Sequence, residues 1–107
     1  MTDGQRGAGA DRDVRIIDVV RSLRPGEVVS YGDIAVDAGV GRQARRVGQL
    51  LAASDDDSVP WWRVVNAAGR LVPGLEAEQA ELLIAEGVDV AGGRVRRAAY
   101  GRFRRHP

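Results

Sequence analysis

Apolar residues recur along the chain with a helical period, and glycines and prolines break that period into elements. From about Asp11 or Asp13, Val14, Ile17 and Val20, with Ile16 and Leu23 beside them, follow the spacing of one helix face. Arg24-Pro25-Gly26 supplies the stop. After Glu27-Val28-Val29, the segment Ser30-Tyr31-Gly32-Asp33 has the S-x-x-D form of a capping box, so a short helix carrying Ile34, Ala35 and Ala38 should begin there. Gly39 suits the left-handed position that closes it. Beyond Gly39-Val40-Gly41, a helix is expected from Arg42 to Ala53, with Ala44, Val47, Leu50 and Leu51 toward a core and Arg42, Arg45, Arg46 and Gln49 pointing elsewhere.

The second half alternates shorter pieces. Ser54 to Ser58, with three consecutive Asp, is a solvated loop. Val59-Pro60-Trp61-Trp62-Arg63-Val64-Val65 is apolar and β-prone, and Pro60 restricts it to an extended or edge segment before Asn66-Ala67-Ala68-Gly69 turns the chain. Glu76 to Glu86 repeats apolar positions at Ala80, Leu83 and Ile84, with Leu82 adjoining, and Gly87 ends this last helix. Val88-Asp89-Val90 and Arg94-Val95-Arg96 flank Ala91-Gly92-Gly93 as a small hairpin. Residues 1–10, rich in Gly and small polar side chains, read as a flexible N-terminal arm. Residues 11–100 read as one domain and 101–107 as a basic C-terminal tail. The fold class expected is mainly α with short β segments: a winged-helix-like domain whose two short helices form a helix-turn-helix.

Composition removes chemistries rather than adding them. The 107 residues fit a single core. Sixteen cations, all Arg, against fifteen acids leave a net charge of +1, so charge distribution rather than total must decide on a polyanionic partner. Without Cys there is no disulfide, thiolate ligand or cysteine nucleophile, and the single His, His106, builds neither a catalytic triad nor a metal cluster. No catalytic residue, cofactor or metal is therefore expected. No apolar run approaches the ~20 residues of a bilayer span, and the start has no signal-peptide core, which suggests a cytoplasmic protein without membrane contact.

Two segments could carry function. In Gly41 to Gln49, arginines can reach phosphates, and Ala44 and Gly48, four apart, let a helix backbone approach another surface closely; the alternative is ordinary packing and solvated charge. In Pro60-Trp61-Trp62-Arg63-Val64, adjacent tryptophans on an extended segment point to opposite faces, one to fill the core and one to line a groove; the alternative is that both fill the core.

Taken together and in order, Val28-Val29-Ser30-Tyr31-Gly32-Asp33-Ile34-Ala35, Ala44-Arg45-Arg46-Val47-Gly48 and Val59-Pro60-Trp61-Trp62-Arg63-Val64-Val65-Asn66 resemble the DNA-binding domain of O6-alkylguanine-DNA alkyltransferases. The resemblance places Trp61 where those enzymes carry the acceptor Cys and Trp62 where they carry His, the pattern of the alkyltransferase-like branch with its His also replaced. It implies a non-enzymatic protein that binds O6-alkylguanine in duplex DNA through the minor groove, flips the base and signals to nucleotide excision repair, as a monomer associated with the nucleoid when bound.

By position, the resemblance implies DNA contacts from Ser30, Tyr31, Gly32, Ala44, Arg45, Arg46 and Gly48, with Tyr31 rotating the nucleotide and Arg45 filling the vacated stack. It implies an alkylguanine pocket of Tyr31, Ser54, Pro60, Trp61, Trp62, Arg63 and Val64. Leu71 to Leu75 stands for a shortened, more open loop, and Ala80 stands where the acidic partner of the Cys-His pair is expected, so the relay should be dismantled. A helix-turn-helix regulator reading an operator is the alternative; a residual alkyltransferase or glycosylase is a further one, with Asp33 and Asp55 to Asp57 as its only nearby carboxylates.

Overall fold

The computed structural model describes residues 3–104, with side chains from residue 9 onward; Met1, Thr2 and residues 105–107, including His106, lie outside the described residues. Helix α1, Asp3–Arg21, buries Ile16 and Val20, and Leu23 follows them into the core just beyond its end. Two expectations change here. Residues 3–10, read as an arm, continue the helix, because extending a turn already fixed by the packed Ile16–Val20 segment requires only propagation and no new nucleus. Val14, assigned to the inner face, is 57% exposed, since the buried stripe runs through Ile16, Val20 and Leu23.

Strand β1, Glu27–Ser30, divides the core. Its successive valines point to opposite faces: Val29 joins Ile16, Val20, Ile34, Val47 and Val64, while Val28 joins Val65, Leu71, Leu83, Val88 and Val95. β1 is the middle of a parallel three-stranded sheet between β2, Val64–Val65, and β5, Tyr100–Gly101, in register Val29↔Val64 and Val28↔Gly101. Gly101 has φ +88°, and a Cβ there would overlap the Val28 carbonyl. The expected C-terminal tail is thus corrected at its start. Gly101 lies in the sheet, Arg102 N–H donates to Val28 O at 3.0 Å, and Phe103 packs against the second cluster.

Helix α2, Tyr31–Asp37, starts at the foreseen capping box, with Asp33 N–H donating to Ser30 Oγ (3.1 Å) and Ser30 N–H to Asp33 Oδ2 (3.0 Å). Helix α3, Ala44–Ala53, completes the helix-turn-helix. It begins two residues after Arg42, because Gly41 at φ +73° and the Gln43 N–H to Gly41 O bond form a tight turn first. Trp61–Arg63 is a 3-10 turn rather than an extended run: Trp61 N–H bonds Val59 O at 2.8 Å and Arg63 N–H bonds Pro60 O at 3.1 Å. Helix α4, Glu76–Ala85, buries Leu83 and leaves Ile84 56% exposed, again shifting the inner face from that expected. Strands β3, Asp89–Ala91, and β4, Arg94–Arg97, form the foreseen antiparallel hairpin, the wing. No helix among the described residues is long and apolar enough to cross a membrane.

Candidate nucleic-acid interface

Helix α3 presents Ala44 and Arg45 to solvent, with Arg42 exposed in the turn before it, and Arg45 makes no ion pair or hydrogen bond among the described residues. Its first turn has no acidic residue and its N-cap, Gln43, makes no side-chain cap, so the initial backbone N–H groups remain available to an anion. Arg46 behaves differently. Its Nη2 and Nε reach back to the Asp13 carboxylate at 2.7 and 3.2 Å, and that hydrogen bond holds Asp13 below its usual range despite opposing desolvation. Arg46, expected at DNA, straps α3 to α1 through this pair. Ser30, also expected at DNA, is buried, and its hydroxyl accepts the Asp33 N–H of the α2 cap.

Between the start of α2 and the inner side of α3 lies a cavity of about 280 Å³, lined by Tyr31, Gly48, Leu51, Ser54, Trp61 and, across the opening, Val72 and Leu75. That size is at the lower edge of the ~300–1,000 Å³ common for small-molecule sites. Tyr31 stands over Gly48: a Cβ at Gly48 would sit 3.8 Å from the Tyr31 ring, ordinary contact. Partial burial raises the Tyr31 phenol above its ordinary value, so it is a neutral donor throughout the physiological range, and its hydroxyl has no hydrogen-bond partner among the described residues. A second cleft of about 420 Å³ shares Tyr31 and Val72 but is bounded by Asn66, Arg70 and Glu76; with no aromatic wall besides Tyr31, it suits a flat base less well.

Of the seven residues expected in the pocket, Tyr31, Ser54 and Trp61 line this cavity. Pro60, Trp62, Arg63 and Val64 do not, because the 3-10 turn rotates them away: Val64 is fully buried within strand β2 and Pro60 caps the turn. The two indoles stand perpendicular with centroids 6.3 Å apart, Trp61 against the first cluster and Trp62 against the second.

Trp62 donates its Nε1–H to Glu86 Oε2 at 2.8 Å. Arg63 forks the same carboxylate, with Nη2 at 2.7 Å from Oε2, and its Nη1 reaches Leu23 O at 2.8 Å. Gly26 N–H adds a bond to Glu86 Oε1 at 2.9 Å. Desolvation alone would push Glu86 up, but Arg63, Gly26 and Trp62 together hold it below its ordinary value. The expectation of a missing acid at Ala80 is therefore overturned. Ala80 packs against the second cluster, and the carboxylate beside this segment comes from Glu86 at the other end of α4.

Gln79 was not anticipated. It is fully buried, accepts from Val72 N–H at 2.7 Å, and donates to Trp62 O and Val64 O at 3.1 and 3.2 Å. The spacing Gln79, Leu83, Glu86 is the signal that could have found both polar residues, since i, i+4, i+7 share a helix face. No group of three or more metal-ligating side chains occurs among the described residues.

The family model for the DNA-binding domain of 6-O-methylguanine DNA methyltransferase matches residues 11–88. The chain belongs to this family. Among its relatives, a DNA base-flipping protein of Escherichia coli (strain K12) is 42% identical over 82 residues, covering 73% of this chain; the match spans 63% of that relative's own length. Alkyltransferase-like protein 1 of Schizosaccharomyces pombe is 33% identical over 81 residues, 71% of this chain and 75% of that one. The crystal structure of S. pombe Atl1 in complex with damaged DNA containing O6-carboxymethylguanine superposes with a TM-score of 0.74 at 27% identity, covering 92% and 97% of the two chains. Mycobacterium tuberculosis OGT in complex with DNA superposes at 0.63, with 31% identity over 69% and 48%. The two superpositions show that this chain shares the fold of these neighbours.

Proposed function

We propose that this protein recognises O6-alkylguanine in duplex DNA, turns the base into the Tyr31–Trp61 cavity and holds it there without removing the alkyl group. The observation that carries the reading is the placement of Trp61. The resemblance to the alkyltransferases sets it at the acceptor-cysteine position, and in this chain it walls a base-sized cavity directly behind α3. The relatives add support, being named for base flipping or crystallised on damaged DNA.

In this mechanism α3 lies along the minor groove. Ala44 and Gly48 allow its backbone close to the sugars, and the open N-terminus of α3 receives a phosphate. Tyr31, neutral and with a free hydroxyl, presses on the nucleotide from the mouth of the cavity, while Arg45 enters the stack and fills the gap. Extrusion costs a few kcal/mol for a normal pair and less for a mispairing alkylated guanine, which gives selectivity before any contact with the alkyl group. The extruded base then meets Trp61, Leu51, Val72 and Leu75, apolar surfaces that gain dispersion contacts with alkyl groups of different sizes. Transfer requires a thiolate or a comparable nucleophile; the sequence contains no Cys, and an indole does not replace one. The unrepaired complex would then mark the site for nucleotide excision repair.

The test pairs two measurements on one duplex. A fluorescent base analogue beside O6-methylguanine should brighten when the protein binds, and intact-mass analysis after prolonged incubation should show the protein at its starting mass. An alkyl adduct, release of free base, or binding without any rise in fluorescence contradicts the proposal.

A further inference from the structure

Gln79 is a fully buried amide on the same face of α4 as the buried Leu83, and each of its polar groups is used. A leucine would fill this space without the cost of burying an amide. What the amide adds is a connection between two segments. Its nitrogen holds the carbonyls of Trp62 and Val64, within and just after the 3-10 turn that carries Trp61. Its oxygen holds the N–H of Val72, which has no other partner among the described residues. Trp61 and Val72 are both walls of the cavity, whereas Gln79 does not line it.

Building on the function proposed above, we infer that Gln79 is a positioning residue that fixes the separation between the Trp61 and Val72 walls and thereby sets which alkyl substituents the pocket favours. The planar amide acts as a spacer of fixed length bonded at both ends. The loop from Leu71 to Leu75 is otherwise tied near Val72 by the Leu71 N–H to Gly93 O and Leu75 N–H to Val72 O bonds, neither of which reaches the Trp61 turn. Without the spacer, the Val72 wall can move away from Trp61. Bulky substituents then gain room, while a methyl group loses contact on one side.

The experiment replaces Gln79 by Met, which keeps length and volume but has no hydrogen-bonding amide. For each folded protein the affinity for an O6-benzylguanine duplex is divided by that for an O6-methylguanine duplex of the same sequence. Gln79→Met should raise this ratio at least threefold over wild type. An unchanged or lower ratio in the folded variant overturns the inference. Wild-type hydrogen exchange gives a check that does not depend on the variant folding: the Val72 amide should be as protected as core amides, and exchange as fast as that of exposed loop residues overturns the clamp. If wild type itself shows no preference for modified over unmodified DNA, the proposed function has failed; if it has that preference and Gln79→Met leaves the ratio alone, only the role of Gln79 has.

Discussion

Two arginines separated by seventeen positions show how neighbours decide what a guanidinium does. Arg45 has no partner among the described residues, whereas Arg63 is enclosed by Glu86, Trp62 and the Leu23 carbonyl. Arg45→Ala should weaken lesion-duplex binding by about 1–3 kcal/mol, the scale of one stacked contact, with no loss of thermal stability. Tyr31→Phe, which keeps the ring over Gly48 but lacks the hydroxyl, should chiefly reduce the fluorescence signal of base extrusion. Both effects are read by titration of a duplex carrying the base analogue; two variants that bind and extrude like wild type would remove Arg45 and Tyr31 from the mechanism. Arg63→Ala strands the Glu86 carboxylate and should cost about 3 kcal/mol in denaturant unfolding. Because the folded-state value of Glu86 is depressed, its contribution to stability is complete at neutral pH and is lost as pH falls from about 4.5 through the lower folded value. Glu86→Gln should remove that part of the acid sensitivity, followed as the change in tryptophan emission with pH.

At the scale of elements, the proposed mechanism requires helix α3 to be smooth where it would meet DNA. Gly48 has ordinary helical geometry, and a Cβ there would meet the Tyr31 ring at 3.8 Å, so the fold itself tolerates alanine. Gly48→Ala should therefore stabilise the protein by up to about 1 kcal/mol while weakening duplex binding, an opposition of signs visible by measuring melting temperature and affinity on one sample. Weakened binding together with lowered stability would mean that Gly48 serves packing alone. Such local features were the ones the sequence revealed: the capping box at Ser30 and Asp33, the hairpin at Gly92-Gly93 and the glycine-linked helix pair each rest on residues within a few positions of one another. The 3-10 turn at Trp61 was not visible, because Pro60 permits either an extended course or a turn and the choice is made by contacts with Glu86, more than twenty residues away. Sequence separation likewise hid Gln79, 17 and 15 residues from its carbonyl partners Trp62 and Val64, and the true source of the carboxylate. The resemblance set Trp61, Trp62, Arg63 and Val64 together in the expected pocket; Trp61 lines the cavity, whereas the turn carries Trp62, Arg63 and Val64 away from it.

For the molecule as a whole, the parallel sheet ties the chain's last described segment to its middle. Arg102 bridges to Asp33 of the α2 capping box at 3.1 Å and to Ala67 O, so the C-terminal segment supports the helix that carries Tyr31. Gly101→Ala, which combines a positive φ with overlap on the Val28 carbonyl, should destabilise folding by about 3 kcal/mol or more and lower lesion binding with it; a variant as stable as wild type would show that the β1–β5 pairing contributes little. Such long-range dependence is absent from any local pattern of residues, which is why the segment read as a basic tail. In the proposed mechanism, the architecture places the Trp61 indole behind the helix that would meet DNA. The most direct measurement is the equilibrium affinity for one duplex with and without a single O6-methylguanine, at matched salt. Binding at least tenfold tighter to the modified duplex is expected, and equal affinity for the two would contradict the account.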